Sequence, residues 1–269
     1  MTVEVEWARM TAPALRKLAE REGALAVLPI GALEQHGSHL PVITDTASAY
    51  AVAVRAARLV AGEVPVAVLP GLWLGMSEHH LPYGATISVD YATLVAMLRS
   101  IVRSLAAIGF KRLLILNGHG GNIPPLAVAT REIAVEFDFP VVAAVPWDMA
   151  PEEMSQIFES GQKGVMHACE GETSVMMAIT PDTVLTGNFE LAYRNNQKWP
   201  RMPSGVTRFH SFAEPEQSFG VLGDPRSATA EKGERFLALQ AREVARLMQP
   251  GPLWTAPDDV WRRNRALEG

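Results

Sequence analysis

Cysteine is almost absent from this chain. Cys169 is the only one, so no internal disulfide can form, and a lone thiol fits a reducing compartment. Positive charge is also short: 24 Lys and Arg stand against 29 Asp and Glu, a net charge of −5, so no basic surface is offered to nucleic acid. Residues 1–6 have neither a basic segment nor an apolar one, so no secretion signal is expected. Apolar runs such as residues 113–116 fall far short of a membrane span. These absences set the expectation of a soluble cytoplasmic protein with no nucleic-acid or membrane partner. What remains is an ordinary globular balance, 48% hydrophobic and 20% charged over 269 residues, which is ample for a sizeable core. No repeat, low-complexity tract or linker interrupts it, so a single domain over residues 1–269 is expected.

Short apolar runs alternate with helical periodicity. Thr11 can cap a helix reaching residue 22, which Gly23 stops; residues 24–28 read as a buried strand and 46–59, rich in alanine and valine, as a helix. Residues 66–69 form a second strand. Residues 90–108 carry Leu94, Met97, Leu98, Ile101, Val102 and Leu105 on one helical face and end at Gly109. Strands are predicted over 112–116 and 141–145, with a helix over 126–137 between them. Residues 167–174 lead into the apolar stretch 175–179, for which Thr173 or Ser174 would be the cap. Residues 180–218 read as an irregular excursion forming a pocket wall or subunit contact. Residues 220–232 then turn into a last helix ending near Met248, and the tail after Pro250 is expected along the surface. Alternation at this spacing implies βαβ units, and so an α/β fold with a mainly parallel sheet covered on both faces.

Polar clusters follow three of these strands. One holds Glu34, His36, His39 and Asp45; another holds Ser77, Glu78, His79 and His80; the third is the run Asn117-Gly118-His119-Gly120-Gly121-Asn122. The carboxyl ends of parallel strands share one edge, where ligands bind, so clusters distant in sequence can converge. A fourth, His167, Glu170 and Glu172, precedes a helix and could close the same cleft. Carboxylate oxygens and neutral imidazole nitrogens are the ligands divalent metals take. Taken singly, each part has a plainer use. An acid after a strand can be a cap, and His39 and His80 can be loop histidines. The glycines of residues 117–122 can serve positive φ or let N–H groups approach an anion. Cys169 reads as a packed small residue, and Trp147 as core or as a pocket wall stacking on a planar ligand. No Gly-Lys-Ser/Thr follows residues 117–122, so they are not a phosphate loop. Taken jointly, the inventory fits a metal bridged by one carboxylate with further ligands from separate strand ends.

At these residues the chain resembles the creatininase (creatinine amidohydrolase) family. The likeness runs from the segment GALEQHGSHLPVITD through NGHGGN and HACEGETS to GDPRSATAEKG, nearly the whole chain. The resemblance implies a three-layer α/β/α fold, a two-metal centre of zinc, manganese or iron ions, and a homo-oligomer, often a hexamer. By motif, Glu34 and His119 match ligands of one metal, His36 a ligand of the other, and Asp45 the carboxylate between them. Ser77 and Trp147 fall where creatininase contacts its substrate, and His167 matches its catalytic histidine. Two departures stand out. Creatininase has a glutamate ligand in NGHxEN where this chain has Gly121, and a glutamate before the catalytic histidine where this chain has Met166. The NGHGGN and HAxExETS pattern looks like other branches, which include formamide hydrolases, mycofactocin-maturation peptidases and a hydrolase of a cyclic inosose. Glu170 is expected to supply the missing carboxylate, with Glu172 as its support or as an alternative ligand.

The expectation is therefore a hydrolase of a C–N bond in a small amide, cyclic amide or formamide. Two cations would activate a water, and His167, with Glu172 beside it, would handle the proton. Ser77, His80 and Trp147 would contact the small-molecule substrate. The alternatives are hydrolysis of a cyclic ketone or of a mycofactocin-type peptide by the same centre, and a metal-binding scaffold without turnover. A dinucleotide site is disfavoured because no fingerprint accompanies residues 117–122.

Overall fold

Four apolar runs make one parallel sheet. β1 (Leu25–Ile30), β2 (Val66–Val68), β3 (Arg112–Asn117) and β4 (Val141–Ala144) lie in the order β2-β1-β3-β4 in this computed structural model, which describes residues 3–194, 206, 208–212 and 220–255. Leu25 sits beside both Val66 and Arg112, and Leu113 beside Val141. Parallel neighbours need crossovers, and helices supply them. After α1 (Ala12–Ala19), α2 (Thr44–Val60) joins β1 to β2, α3 (Tyr91–Ile108) joins β2 to β3, and α4 (Ile123–Phe137) joins β3 to β4. Then follow α5 (Pro151–Ser155), α6 (Glu170–Ile179), α7 (Phe189–Arg194) and α8 (Ala230–Met248).

Side chains alternate across each strand, so each strand feeds two cores. Leu25, Val27, Leu114 and Leu116 pack with Val52 of α2, Val175 of α6 and Phe236 of α8. Ala26, Leu28, Ile30 and Ile115 pack with Leu98 of α3 and Ile133 of α4. This is the three-layer α/β/α architecture expected from the sequence. By length and composition alone, the 18 residues of α3 are apolar enough to cross a membrane, although its apolar residues are interrupted by Arg99, Ser100, Arg103 and Ser104. Its stripe of Leu94, Leu98, Val102 and Leu105 is buried in the core instead.

Several boundaries shift, and the shifts matter for the site. β1 runs on through Pro29, although it is a central strand. The Pro29 carbonyl accepts from Leu72 N at 2.9 Å, on the flank where β2 has already ended, so the missing N–H takes nothing from the ladder with β3. α2 starts at Thr44, which draws Asp45 into its first turn. α6 starts at Glu170 behind Cys169, not behind Thr173 or Ser174, so Glu170 and Glu172 both lie in its first turn. Asp90 caps α3 by accepting from Thr93 N at 2.7 Å, and Gly109 ends it at φ 112°. The excursion contains α7 and the stretch 208–212; much of the rest of it, and the tail beyond Thr255, lie outside the described residues. The start of that tail is not superficial, because Trp254 is buried and donates to Leu247 O at 2.8 Å.

α8 closes on α6 through Gly233, where a Cβ would sit 1.9 Å from Ser174 O. Gly233→Ala is expected to lower stability by about 1–3 kcal/mol through overpacking. A thermal melt checks this; an unshifted midpoint would show that the two helices separate freely.

Candidate metal centre

From β1 the chain crosses to β2 on one flank, and β3 pairs on the other. The crevice between the carboxyl ends of β1 and β3 is therefore the switch point where open α/β sheets bind ligands. Glu34 and His36 follow β1, and His119 follows β3. Asp45 and Glu172 occupy the first turns of α2 and α6, where the helix dipole favours negative charge. Asn122 fastens three strand ends together: its Oδ1 accepts from Met76 N at 2.9 Å, and its Nδ2 donates to Gly31 O at 3.0 Å. The glycines of residues 117–122 do not serve positive φ. Two of them serve close approach instead, since a Cβ at Gly118 would lie 2.3 Å from Asp45 O and one at Gly121 2.3 Å from Met76 O.

Asp45 stands in the middle. Its Oδ1 is 3.0 Å from His36 Nε2, and its Oδ2 is 2.9 Å from His119 Nδ1. Each of these rings turns its other nitrogen to a backbone carbonyl: His36 Nδ1 is 3.2 Å from Glu34 O, and His119 Nε2 is 3.0 Å from Met76 O. A carbonyl only accepts, so in the neutral rings those nitrogens carry the hydrogen and the nitrogens facing Asp45 carry lone pairs. A lone pair set against a carboxylate oxygen calls for a cation between them. Glu34 Oε2 is 3.3 Å from His119 Nδ1, and Glu172 Oε1 is 3.9 Å from His36 Nε2. Glu34 Oε1 and Asp45 Oδ2 are buried, and among the described residues no hydrogen-bond donor is aligned on them. Ligand atoms of Glu34, His36 and Asp45, and those of His36, His167 and Glu172, lie within 4.8 Å of one another. This set of oxygens and imidazole nitrogens fits the binding of a divalent metal beside Asp45.

The electrostatics divide the histidines in the same way. Burial works against a charge on His36, but Asp45 beside it outweighs burial and raises its pKa to about 10. At His119 burial is likewise outweighed, by Glu34 and Asp45, and the pKa rises well above the ordinary imidazole value. For His80 and His167 burial and neighbouring imidazoles act together, and both are held well below it. Positive charge is thus favoured on the two flanks of Asp45. Burial would raise Asp45, yet His36 holds it well below the usual carboxylate range. Burial lifts Glu172 to about 7 against the pull of His36, while the backbone N–H of Ala168 donates to its Oε2.

Glu34, His36, His80, Asp45, His119, His167 and Glu172 converge here. Glu170 does not, which corrects the expectation that it supplies the missing carboxylate. It accepts from Lys232 Nζ at 2.7 Å and from the backbone N–H groups of Glu159 and Ser160, so its oxygens are already engaged. Two positions apart on a helix, Glu170 and Glu172 cannot face the same way. Ser77 is also placed differently from its expected substrate contact: it is fully buried, and its hydroxyl donates to Glu34. His39 turns Nε2 to Thr173 Oγ1 at 3.0 Å, away from the cluster.

A cavity of about 320 Å³ opens over the cluster, lined by Glu34, Asp45, Trp147, His167, Glu172 and Phe212 among others. His79 of the second polar cluster also lines it, while Phe212 on its wall and Gln35 behind it were not singled out in the sequence. His79 stacks on His119 with ring centroids 5.4 Å apart, Phe212 packs 4.1 Å from His80, and Gln35 touches His80 and His167. The segment EQHG was the available signal for Gln35. Phe212 had none, and it is placed by donating its N–H to His79 O at 2.9 Å.

The chain matches the family Creatininase, described as creatinine amidohydrolase, over residues 8–248. It is 35% identical over 240 residues to a mycofactocin precursor peptide peptidase of Mycobacterium tuberculosis, covering 85% of this chain and 88% of that one. It is 36% identical over 240 residues to a creatinine amidohydrolase of Pseudomonas putida, covering 81% and 86%. A solved structure described as the manganese form of creatininase superposes with a TM-score of 0.76 at 27% identity, covering 91% of this chain and 98% of that one. The chain belongs to the creatininase family of hydrolases.

Proposed function

We propose that this protein hydrolyses a C–N bond of a small amide, cyclic amide or formamide at a centre of two divalent cations. The observation that carries the reading is Asp45, with one oxygen turned to His36 and the other to His119. Glu34, His119 and Asp45 would hold one cation, and His36, Asp45 and Glu172 the other. Glu172 thereby takes the part expected of Glu170. Cations so held supply Lewis acidity, which lowers the pKa of water from about 16 towards about 7 and makes hydroxide available near neutrality. Ser77 keeps Glu34 turned inward through its hydroxyl. His167 Nδ1, 3.5 Å from Glu34 Oε1, stands where it can move a proton between the attacking water and the leaving nitrogen. Trp147 and Phe212 wall the cavity, exclude water and orient a flat substrate. About 300 Å³ is the lower end of small-molecule sites, which favours a compact substrate.

A peptide end is the second reading, favoured by the relative named for a peptide and by the exposed rim residue Met166. Cyclic ketones are the third. Dialysis against a chelator is expected to abolish turnover, and manganese or zinc to restore it, on a panel of amides, lactams, formamides, short peptides and cyclic polyols. Turnover that survives chelation would exclude the metal centre, and release of product from the polyols alone would exclude C–N hydrolysis. The family resemblance implies a homo-oligomer, often a hexamer, and sedimentation measures it.

A further inference from the structure

Gln35 lies between two candidate ligands, and its side-chain amide touches both His80 and His167. Its orientation is fixed. Oε1 accepts the Gly37 N–H at 2.9 Å, and Nε2 lies 3.0 Å from the Gly220 carbonyl. Turned over, the amide would set donor against donor at one end and acceptor against acceptor at the other. The site is built for this approach: Gly220 has φ 75°, and a Cβ there would fall 2.2 Å from Gln35 Oε1.

One amide hydrogen goes to Gly220, so one is left. Two ring nitrogens are in reach, His80 Nδ1 at 2.8 Å and His167 Nε2 at 3.0 Å. His167 Nε2 also lies 2.9 Å from the Gln35 backbone carbonyl, which can only accept. That nitrogen therefore carries its own hydrogen and cannot receive another. The second amide hydrogen falls to His80 Nδ1, which must be bare.

We propose that Gln35 is a positioning residue that fixes both rings as their Nε2–H tautomers. His80 then carries its hydrogen on Nε2, 3.4 Å from Glu34 Oε1 though not aligned on it, while His167 presents a lone pair at Nδ1, 3.5 Å from the same oxygen. Two imidazoles that look alike in the sequence receive opposite tasks: His167 is the base and His80 the donor. That division of labour rests on the amide-hydrolysis reading, whereas the tautomers do not. As the water oxygen bonds to the carbonyl carbon, its proton passes to His167 Nδ1. As the C–N bond breaks, that proton passes to the departing nitrogen.

Neutron diffraction from crystals of the zinc-loaded protein in heavy water reads the tautomers directly. Deuterium is expected on Nε2 of both rings and on neither Nδ1; deuterium on His80 Nδ1 overturns the proposal. Gln35→Glu keeps the shape but puts an acceptor where the amide donates. In that variant the His80 deuterium is expected to move from Nε2 to Nδ1 with zinc content unchanged, and a deuterium that stays on Nε2 also overturns it. The wild-type measurement decides by itself should the variant not fold. Neither readout uses turnover, so failure of the hydrolytic reading would leave this result standing.

Discussion

Asp45→Asn is expected to lower turnover about 10³-fold while leaving the fold intact. Asp45 offers one oxygen to the His36 flank and the other to the His119 flank. Asparagine keeps the shape and one oxygen but turns the other into an N–H donor, so at most one flank remains served. Metal-ion catalysis contributes several kcal/mol of charge stabilisation; about 4 kcal/mol lost corresponds to about three powers of ten in rate. The rate on whichever substrate of the panel is turned over, metal content by emission spectroscopy and circular dichroism together make the test. Native turnover in a folded Asp45→Asn protein would end the shared-carboxylate scheme.

The second large effect separates two glutamates that are neighbours in the sequence. Glu172→Gln is expected to lose one equivalent of metal and nearly all activity, with little change in the stability of the chelated protein. Glu170→Gln is expected to do the opposite, keeping its metal but losing about 3 kcal/mol of stability. The reason lies in Lys232, a buried cation whose Nζ is 2.7 Å from Glu170 Oε1. Breaking a buried pair costs about 3–5 kcal/mol, and the lower end applies because the exposed carboxylate of Glu159, 2.9 Å from the same nitrogen, remains. Denaturant melts and metal analysis read both. Metal lost from Glu170→Gln but kept by Glu172→Gln would reverse the assignment. Gly121→Glu is no remedy for either loss, because a side chain at 121 has no room beside Met76 O and His119 Nε2.

Those glutamates also show where sequence reading reached its limit. The layers were legible because strands and helices carry their own periods: the stripe of α3 and its Gly109 stop lie within one stretch. The convergence at strand ends was legible too, since a parallel sheet leaves only one edge for it. The start of α6 was not. Cys169 caps it without a side-chain hydrogen bond, whereas Thr173 and Ser174 are the residue types that advertise a cap, so the sequence pattern starts the helix after both glutamates. With the helix begun at Glu170, the two acids face different ways. Lys232, far along the chain, is what occupies Glu170, and no local pattern announces such a pair. Ser77 was misjudged for a similar reason, since its partner Glu34 belongs to another strand end.

The residues around Asp45 come from stretches that have no covalent tie to one another: the loop after β1, the start of α2, the end of β3 and the start of α6. Cations held as proposed, each by three of these side chains and both by Asp45, would be removable cross-links in a chain whose single cysteine can provide no permanent one. Such an ion binds the folded chain and not the unfolded one. Above its dissociation constant, every tenfold rise in free metal therefore adds about 1.4 kcal/mol to stability. On the proposed metal centre, the lifetime of the protein would become a gauge of metal supply, and starvation for metal would shorten its survival along with silencing its chemistry.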